Sequence, residues 1–287
     1  MSGPKNFAIR KFCTGDRATV RSLCCDTGFL GNPIDPVFED RRLFADFLTG
    51  YYTDWEPESA FVIEVDGQVK GYLLGSRQPF RQQLYSIYQN AVLFLRMLRH
   101  YWGYNLASRR FVHWILLHGW REVPAAPRRT AHFHINLLAE ARNVPTTRAL
   151  VNAYLAYLAE HGEKRVYGQM VTFESRRGAK MFERYGFRVL NRAEISKYRR
   201  FHPEPVYLCT VIKDLEENSR LYGGREAGVE EETAEVKYGG KNSSISSRAC
   251  ACIRNGLLSH RWTISTASPL TPSNAEAVRA SGECASG

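Results

Sequence analysis

The stretch HINLLAEARNVPTTRALV, from His134 to Val151, decides the fold. It starts with alternating polar and apolar residues, which is typical of a strand, and runs through a short polar loop into a helix. That layout sets backbone N–H groups and the positive end of a helix dipole against an anion. Such loops are usually rich in glycine, whereas this one has none and carries Pro145. Proline removes one amide donor, although it is well accepted in the first turn of a helix.

Side chains around Pro145 can replace what glycine normally provides. Thr146 and Thr147 offer hydroxyl donors, and Arg142 and Arg148 offer positive charge. The loop therefore predicts a phosphate site that has exchanged backbone donors for side-chain donors. The simpler alternative is an ordinary well-capped helix start with no ligand.

Working outward, the chain predicts a mixed α/β domain. Asp66-Gly67 between two apolar runs indicates a β-hairpin. Residues 78–129 predict a helical insertion, apolar on one face and rich in Arg and His on the other, for which structural packing is the simplest role. We expect one domain over 1–215 and a mostly disordered tail over 216–287. Further predicted strands span 7–12, 131–138, 166–173, 187–198 and 205–215, and helices span 40–52, 144–157 and 175–187.

The charge is concentrated in the predicted domain. Eight of the 39 Lys and Arg and nine of the 29 Asp and Glu follow residue 215, so residues 1–215 carry 31 basic and 20 acidic side chains. A net charge of +11 there suits an anionic ligand, or simply a soluble basic surface. The seven cysteines form no Cys-x-x-Cys pair, so we expect no metal. An odd cysteine count without a signal peptide or a membrane-spanning run predicts a cytoplasmic protein.

Two segments resemble the GNAT (GCN5-related) acyl-CoA N-acetyltransferases. The stretch from His134 to Val151 resembles the family's strand, pyrophosphate loop and helix, with Arg142 at the first loop position, Pro145 at the first glycine and Thr147 at the Gly/Ala. SRRGAKMFERYGF (175–187) resembles its second cofactor segment. There Ala179, Glu183, Gly186 and Phe187 fit, Arg176 stands in place of an Asn and Phe182 in place of a Tyr. The loop CCDTGFLGNPID resembles, more loosely, the branch of the acetyltransferase-like domain of O-GlcNAcase.

The resemblance implies a GNAT-like α/β fold of the α+β type, a mostly antiparallel central sheet flanked by helices. It implies acetyl-CoA as co-substrate and direct transfer of the acetyl group to a primary amine of a small molecule or protein. The residues that it implies for cofactor binding are Leu137, Leu138, Arg142, Asn143, Val144, Thr146, Thr147, Arg148 and Arg176.

The catalytic candidates are His134, Asp26 and Tyr185. Amine acetylation needs a base, and His132, His134 and Asn136 share one strand face, where His134 could act. Asp26 and Asp35 lie in the loop that the resemblance places over the acceptor. Tyr185 could replace the missing acid at Phe182, being one helical turn further on. Each has a plain structural alternative: histidines satisfied in the sheet, turn residues, and a packed aromatic.

Two other functions stay open at this point. The chain could bind an acyl-CoA without effective catalysis, as a sensor or scaffold, because both motifs depart from the family pattern. It could instead be a basic module that binds nucleic acid or a membrane surface, in which the basic, aromatic insertion would take part. We expect no stable nucleic-acid or membrane partner, and a homodimer stays open.

Overall fold

The computed structural model describes residues 6–173 and 179–215. Their core is one seven-stranded sheet in the order β1-β2-β3-β4-β5-β7-β6. The strands are β1 (Phe7–Lys11), β2 (Ala60–Val65), β3 (Gln68–Ser76), β4 (Ala131–Leu137), β5 (Arg165–Thr172), β6 (Arg188–Glu194) and β7 (Tyr207–Asp214). All neighbouring strands pair antiparallel except β4 and β5, which are parallel. The expected mixed, mostly antiparallel sheet flanked by helices is therefore confirmed.

Local chemistry explains the first hairpin. Asp66 and Gly67 both adopt positive φ, 51° and 74°, as a two-residue type I′ turn requires. Val65 and Gln68 pair directly across it. The prediction made from Asp-Gly is confirmed, because this turn depends on adjacent residues only.

Helices cover both faces of the sheet. They are α1 (Arg17–Asp26), α2 (Arg41–Asp54), α3 (Pro79–His100), α4 (Leu106–Trp114), α5 (Trp120–Glu122), α6 (Val144–Glu160) and α7 (Ala179–Glu183). On one face, α6 and α7 pack on Phe133 and Leu137 of β4. On the other, α1 and α2 pack on Tyr72 and Leu74 of β3, together with buried residues of α3 and α4. No helix within the described ranges is long and apolar enough to cross a bilayer.

The helices α3 to α5 join β3 to β4, and a π-helical segment, Ile115–Gly119, connects α4 to α5. The segment predicted as a helical insertion over 78–129 contains these helices, and α3 buries little of its apolar surface. Its buried residues are Leu93 and Met97, and it meets α2 through polar contacts and through the ring of Tyr85, which lies against Tyr51. Gln89 Nε2 donates to the Asp46 carbonyl, and Arg96 pairs with the Asp46 carboxylate at 3.0 Å. Most of the apolar side chains of α3 consequently face outward.

One predicted strand is shorter than expected, and one predicted helix is described only in part. The strand predicted over 187–198 ends at Glu194, and Ser196–Tyr198 forms a 3-10 turn. The reason is Glu122, whose carboxylate accepts the Ser196 backbone N–H and hydroxyl at 2.7 and 2.6 Å. The helix predicted over 175–187 is seen as Ala179–Glu183, closed by Gly186 at φ +74°. Residues 174–178 and the predicted tail lie outside the described residues.

Candidate active site

A fork opens in the sheet between β4 and β5. The two strands pair only from Ala131 to Phe133 on β4 and from Val166 to Gly168 on β5. The Leu138 N–H donates to the Lys70 carbonyl at 2.9 Å, which fixes the alternation along β4. The backbone polar groups of Ile135 and Leu137 must therefore point away from β3, into the fork.

The fork opens into a cavity of about 1590 Å³. His134, Ile135 and Asn136 of β4 form one wall of the fork, and Gln169 and Met170 of β5 form the other. On one side the cavity reaches the start of α6 and the α7 segment, and on the other it reaches α2, α3 and α4. A slot of this shape suits a linear ligand that passes between two strands with its ends on opposite sides of the sheet.

Two histidines of β4 face this cavity. Burial lowers the pKa of His134 to about 4, so its imidazole is neutral at neutral pH. Its ring meets the Tyr72 ring edge-on at 5.7 Å, and it makes no hydrogen bond to any described residue. An unprotonated imidazole without a partner can accept a proton from a ligand in the fork.

His132 is a site residue that the sequence reasoning left out of its candidates. Its side chain is 9% exposed, and its Nε2 lies 2.9 Å from the Tyr52 hydroxyl. Its Nδ1 is buried without a partner among the described residues, and burial lowers its pKa to about 4. The signal was present in the sequence, since His132 and His134 share one face of a strand. An unsatisfied buried nitrogen in a cavity wall indicates room for a polar ligand atom.

The start of α6 uses most of its own donors. The Asn143 Oδ1 accepts the Thr146 backbone N–H at 2.9 Å, and the Asn143 carbonyl accepts the Thr147 N–H at 3.1 Å. Thr146 is buried and its hydroxyl donates to the Ala141 carbonyl. Pro145 has no N–H, so Val144 supplies the one N–H of the first turn that is not bonded within the loop and helix. Few backbone N–H groups at the start of α6 are therefore available to an anion. Of the two threonines, Thr147 lines the cavity and Thr146 does not.

The Arg142 side chain ties the loop to distant backbone. Its guanidinium donates to the Leu137 carbonyl from Nε and Nη2, at 3.2 and 2.9 Å, and to the Gly31 carbonyl at 3.1 Å. It thereby closes the end of the fork at Leu137 and holds the loop that follows α1. Arg142 also lines the cavity, although most of its guanidinium N–H groups are directed at protein carbonyls.

A second group of cations lies beyond the start of α6. Lys180 and Arg184 line the cavity, and Arg148 donates to the Arg184 carbonyl at 3.4 Å. None of the three makes an ion pair within the described residues. Such free, exposed cations beside a cavity mouth suit phosphate groups. Arg176 lies outside the described residues.

Tyr185 belongs to the same end of the cavity. Its ring centroid is 6.0 Å from the Arg148 guanidinium. Burial raises the pKa of Tyr185, and Arg148 and a hydrogen bond with Thr147 oppose that shift. Phe182, by contrast, is 5% exposed in the core beneath α6. Of these two aromatic residues, Tyr185 is the one that carries a proton near the cavity.

The remaining candidates have different surroundings. Asp26, at the end of α1, forms an ion pair with Arg41 and accepts the Ser22 hydroxyl at 3.0 Å. It is not part of the cavity wall, although Thr27 and Gly28 are. Leu137 is buried in the fork, Leu138 pairs with β3, and Val144 is 44% exposed at the cavity edge.

Lys197 is a further cavity residue that sequence reasoning missed. Its Nζ lies 4.6 to 5.0 Å from the ring centroids of Phe111, Trp114 and Tyr198. Burial lowers the pKa of Lys197 to about 8, with Glu122 opposing the shift. No local sequence pattern predicts this site, because two of its rings, Phe111 and Trp114, belong to α4 and lie more than 80 positions away in the sequence. It shows that this end of the cavity accommodates an ammonium among aromatic rings.

Comparison with known proteins gives structural likenesses. No protein family model and no curated protein sequence matches the chain. The crystal structure of SsHAT is 24% identical, covers 73% of this chain and 98% of its own, and has a TM-score of 0.47. A polyamine N-acetyltransferase of Drosophila melanogaster is 10% identical over 73% and 100% of the two chains, with a TM-score of 0.44. The protein yncA of Salmonella typhimurium, solved with acetyl-CoA, is 13% identical over 79% and 99%, with a TM-score of 0.43. Function has to be argued from the site itself.

Proposed function

We propose that this protein binds acetyl-CoA and transfers its acetyl group to a primary amine. The observation that carries the proposal is the fork, where the backbone groups of Ile135 and the Leu137 N–H face a continuous cavity, while Arg142 occupies the Leu137 carbonyl. A pantetheine arm has amides that suit such an unpaired strand edge, and its thioester end would lie among buried side chains. The thioester supplies an activated acyl group, and the chain has to position it and the amine.

The phosphate end of the ligand would meet cationic side chains. Lys180 and Arg184 line the cavity by α7, Arg148 of α6 donates to the Arg184 carbonyl, and Val144 lines the cavity at the start of α6. They fit a diphosphate by charge and hydrogen bonding. This is an anion site made of side chains, as the absence of glycine suggests.

The proton of the amine would go to a histidine of β4. His134 is neutral at neutral pH and has no hydrogen-bond partner in the described part of the chain. His132 offers an unpartnered Nδ1 beside it. Tyr185 keeps its phenol proton and lies beside Arg148, at the end of the cavity assigned to the phosphates, so its role as donor to the departing thiolate stays a prediction from the sequence.

Binding is tested by thermal shift and calorimetry with acetyl-CoA. Exchanging both Arg148 and Arg184 for Gln should weaken acetyl-CoA by about tenfold or more, because each loses a charged hydrogen bond to phosphate. Arg42→Gln is the matched control, since Arg42 is exposed on α2. No stabilisation by millimolar acetyl-CoA would overturn the proposal.

Turnover is tested separately by thiol release with a panel of amines. We expect release with an amine and a loss of about 100-fold in kcat for the double variant of His132 and His134 to Gln. Retention of acetyl-CoA binding by that variant would assign the loss to chemistry rather than to folding.

A second candidate is an acyl-CoA-binding domain without turnover. One observation that favours it is the burial of Phe182 at the position where the resembled family has its acid. Another is that the Thr146 N–H and hydroxyl at the start of α6 donate to Asn143 and Ala141, so they are not free for a ligand. Stabilisation by acetyl-CoA without thiol release for any amine would select this candidate.

A further inference from the structure

The helix α3 exposes an apolar face to solvent along its whole length. Its most exposed large apolar side chains lie three, four or seven positions apart, on the side opposite Leu93 and Met97. They are Phe80 at 73%, Leu84 at 54%, Ile87 at 64%, Tyr88 at 68%, Leu95 at 66% and Leu98 at 47%. A surface helix normally turns its polar side outward, so α3 presents a face that lacks a partner.

The elements that follow α3 also carry exposed apolar side chains. Trp102 is 80% exposed, Leu106 63%, Leu117 63% and Trp120 69%. Of the 21 exposed large apolar side chains in the described part of the chain, 15 lie between residues 80 and 123. We call residues 79–123 the α3–α5 surface. A concentration of this size in one segment indicates an interaction site.

The charge of this surface restricts the kind of partner. Residues 79–123 contain six arginines and one acidic residue, Glu122. Arg99, Arg110 and Arg121 are exposed and make no ion pair among the described residues. Glu122 is occupied by Trp114 and Ser196. The partner must therefore be apolar and negatively charged at once.

We propose that the α3–α5 surface docks on an anionic lipid bilayer. The aliphatic and aromatic side chains would enter the boundary between headgroups and acyl chains, and the arginines would contact lipid phosphates. Exposed Trp102 and Trp120 suit this boundary, where one end of the ring is apolar and the other wet. A second copy fits less well, because two surfaces with the same arginine excess would repel each other.

The position of the cavity is consistent with docking through the α3–α5 surface. Ile115, Leu116 and Trp120 are exposed members of the α3–α5 surface and also line the cavity. Docking would bring the end of the cavity that is lined by Ile115, Leu116 and Trp120 to the lipid surface. The docking proposal does not depend on acetyl transfer, and its test needs no activity.

The experiment is flotation of the full chain with vesicles. Phosphatidylcholine vesicles should bind it weakly, and vesicles with about 30% phosphatidylserine should bind it strongly, with a blue shift of tryptophan emission. Replacing Leu84, Ile87 and Leu95 together by Gln should reduce binding at least tenfold, since each loses apolar burial. Arg99→Gln with Arg110→Gln should reduce it about fivefold per arginine. Leu190→Gln, on β6 at 41% exposure, is the matched control.

Three outcomes would overturn the proposal. One is no binding to phosphatidylserine vesicles by folded wild-type protein, judged by its thermal melt. Another is a loss for Leu190→Gln that equals the loss for the triple variant. The third is a dimer in solution, or cross-links from residues 216–287 to α3, that the triple variant abolishes while vesicles are not bound. That result would identify a second copy or the chain's own terminus as the occupant.

Discussion

At the residue scale, the carboxylate of Glu56 is fully buried where α2 leads into β2. It accepts hydrogen bonds from the Tyr51, Ser59 and Ser76 hydroxyls and from the Arg77 backbone N–H, all at 2.7 to 2.8 Å. We expect Glu56→Ala to lower the free energy of unfolding by about 3 kcal/mol, because four buried donors lose their acceptor. That corresponds to a fall in Tm of about 6–12 °C for a domain of this size.

Glu58→Ala is the control for Glu56, since Glu58 belongs to the same short turn and is exposed. The free energy of unfolding of this variant should stay within about 0.5 kcal/mol of the wild-type value. Equal effects of the two substitutions would contradict the role given to the buried carboxylate.

The histidines of β4 make stability depend on pH. Burial holds the pKa of His132 and of His134 at about 4 in the folded protein. Unfolded histidine titrates near 6.5, so below that pH the unfolded chain takes up protons that the folded chain refuses. The stabilising effect is complete above about pH 6.5 and is lost as pH falls toward about 4. At about pH 5 each of the two histidines should lower the free energy of unfolding by about 2 kcal/mol relative to neutral pH.

Urea denaturation at about pH 7.5 and about pH 5 measures this effect. Replacing His132 and His134 together by Gln should flatten the difference between the two pH values. His100→Gln, an exposed position on α3, should leave it as in the wild type. A double variant with the wild-type pH dependence would refute the argument.

Individual residues show why site prediction from sequence stops short. Strand alternation predicted that His132, His134 and Asn136 share one face of β4. The contacts of Arg142 could not follow, because one acceptor is the carbonyl of Gly31, 111 positions away. The ion pair of Asp26 with Arg41 is likewise a matter of how α1 and α2 meet. The roles predicted for these residues in catalysis and cofactor binding stay predictions.

At the element scale, β3 and α6 touch where a glycine permits it. A Cβ at Gly75 would lie 2.2 Å from Cζ of Tyr154, a buried ring whose hydroxyl donates to the His132 carbonyl. Gly75→Ala should therefore cost about 2–3 kcal/mol by forcing α6 away from the sheet. The control is Gly103→Ala, where an added Cβ meets nothing within 4 Å. A wild-type melt for Gly75→Ala would show that α6 can shift without loss.

The cap of α6 separates stability from ligand binding. Asn143→Ala removes the acceptor of the Thr146 N–H and should cost about 1 kcal/mol. Asn143→Asp keeps an acceptor and adds a negative charge at the positive end of the helix, so stability should hold. Under the proposed function that same charge would repel the phosphates and weaken acetyl-CoA about tenfold. Paired melts and calorimetry on the two variants check both statements, and unchanged affinity in Asn143→Asp would remove the α6 start from the phosphate site.

Elements differ in how far sequence determines them. The hairpin at Asp66-Gly67 and the end of α6 before Gly162, at φ +75°, depend on adjacent residues and were predicted. The fork depends on how β4 and β5 diverge after Phe133, which no short window contains. The early end of β6 depends on Glu122 from another segment. Long-range packing, rather than propensity, decides these features.

At the scale of the whole molecule, several basic side chains of the described residues line the cavity at the fork, and others lie on the α3–α5 surface. Within the described residues, Glu122 is the acidic side chain in the cavity wall, and its carboxylate accepts hydrogen bonds from Trp114 and Ser196. Arg142, Lys180, Arg184 and Lys197 line the same cavity. Its field therefore favours a ligand with a negative end and an apolar or neutral remainder.

This field predicts how acetyl-CoA binding responds to salt. Raising NaCl from about 0.05 M to about 0.5 M shortens the screening length from roughly 14 to roughly 4 Å. The affinity for acetyl-CoA should therefore fall about tenfold. S-acetylpantetheine, which has the thioester arm without phosphates, should bind more weakly and show little salt dependence, because its contacts are those of the fork. Calorimetry with both ligands at the two salt concentrations makes the comparison, and the variant with Arg148 and Arg184 both exchanged for Gln should lose part of the salt effect for acetyl-CoA. Equal salt dependence for the two ligands would mean that the cations at α6 and α7 do not hold the phosphates.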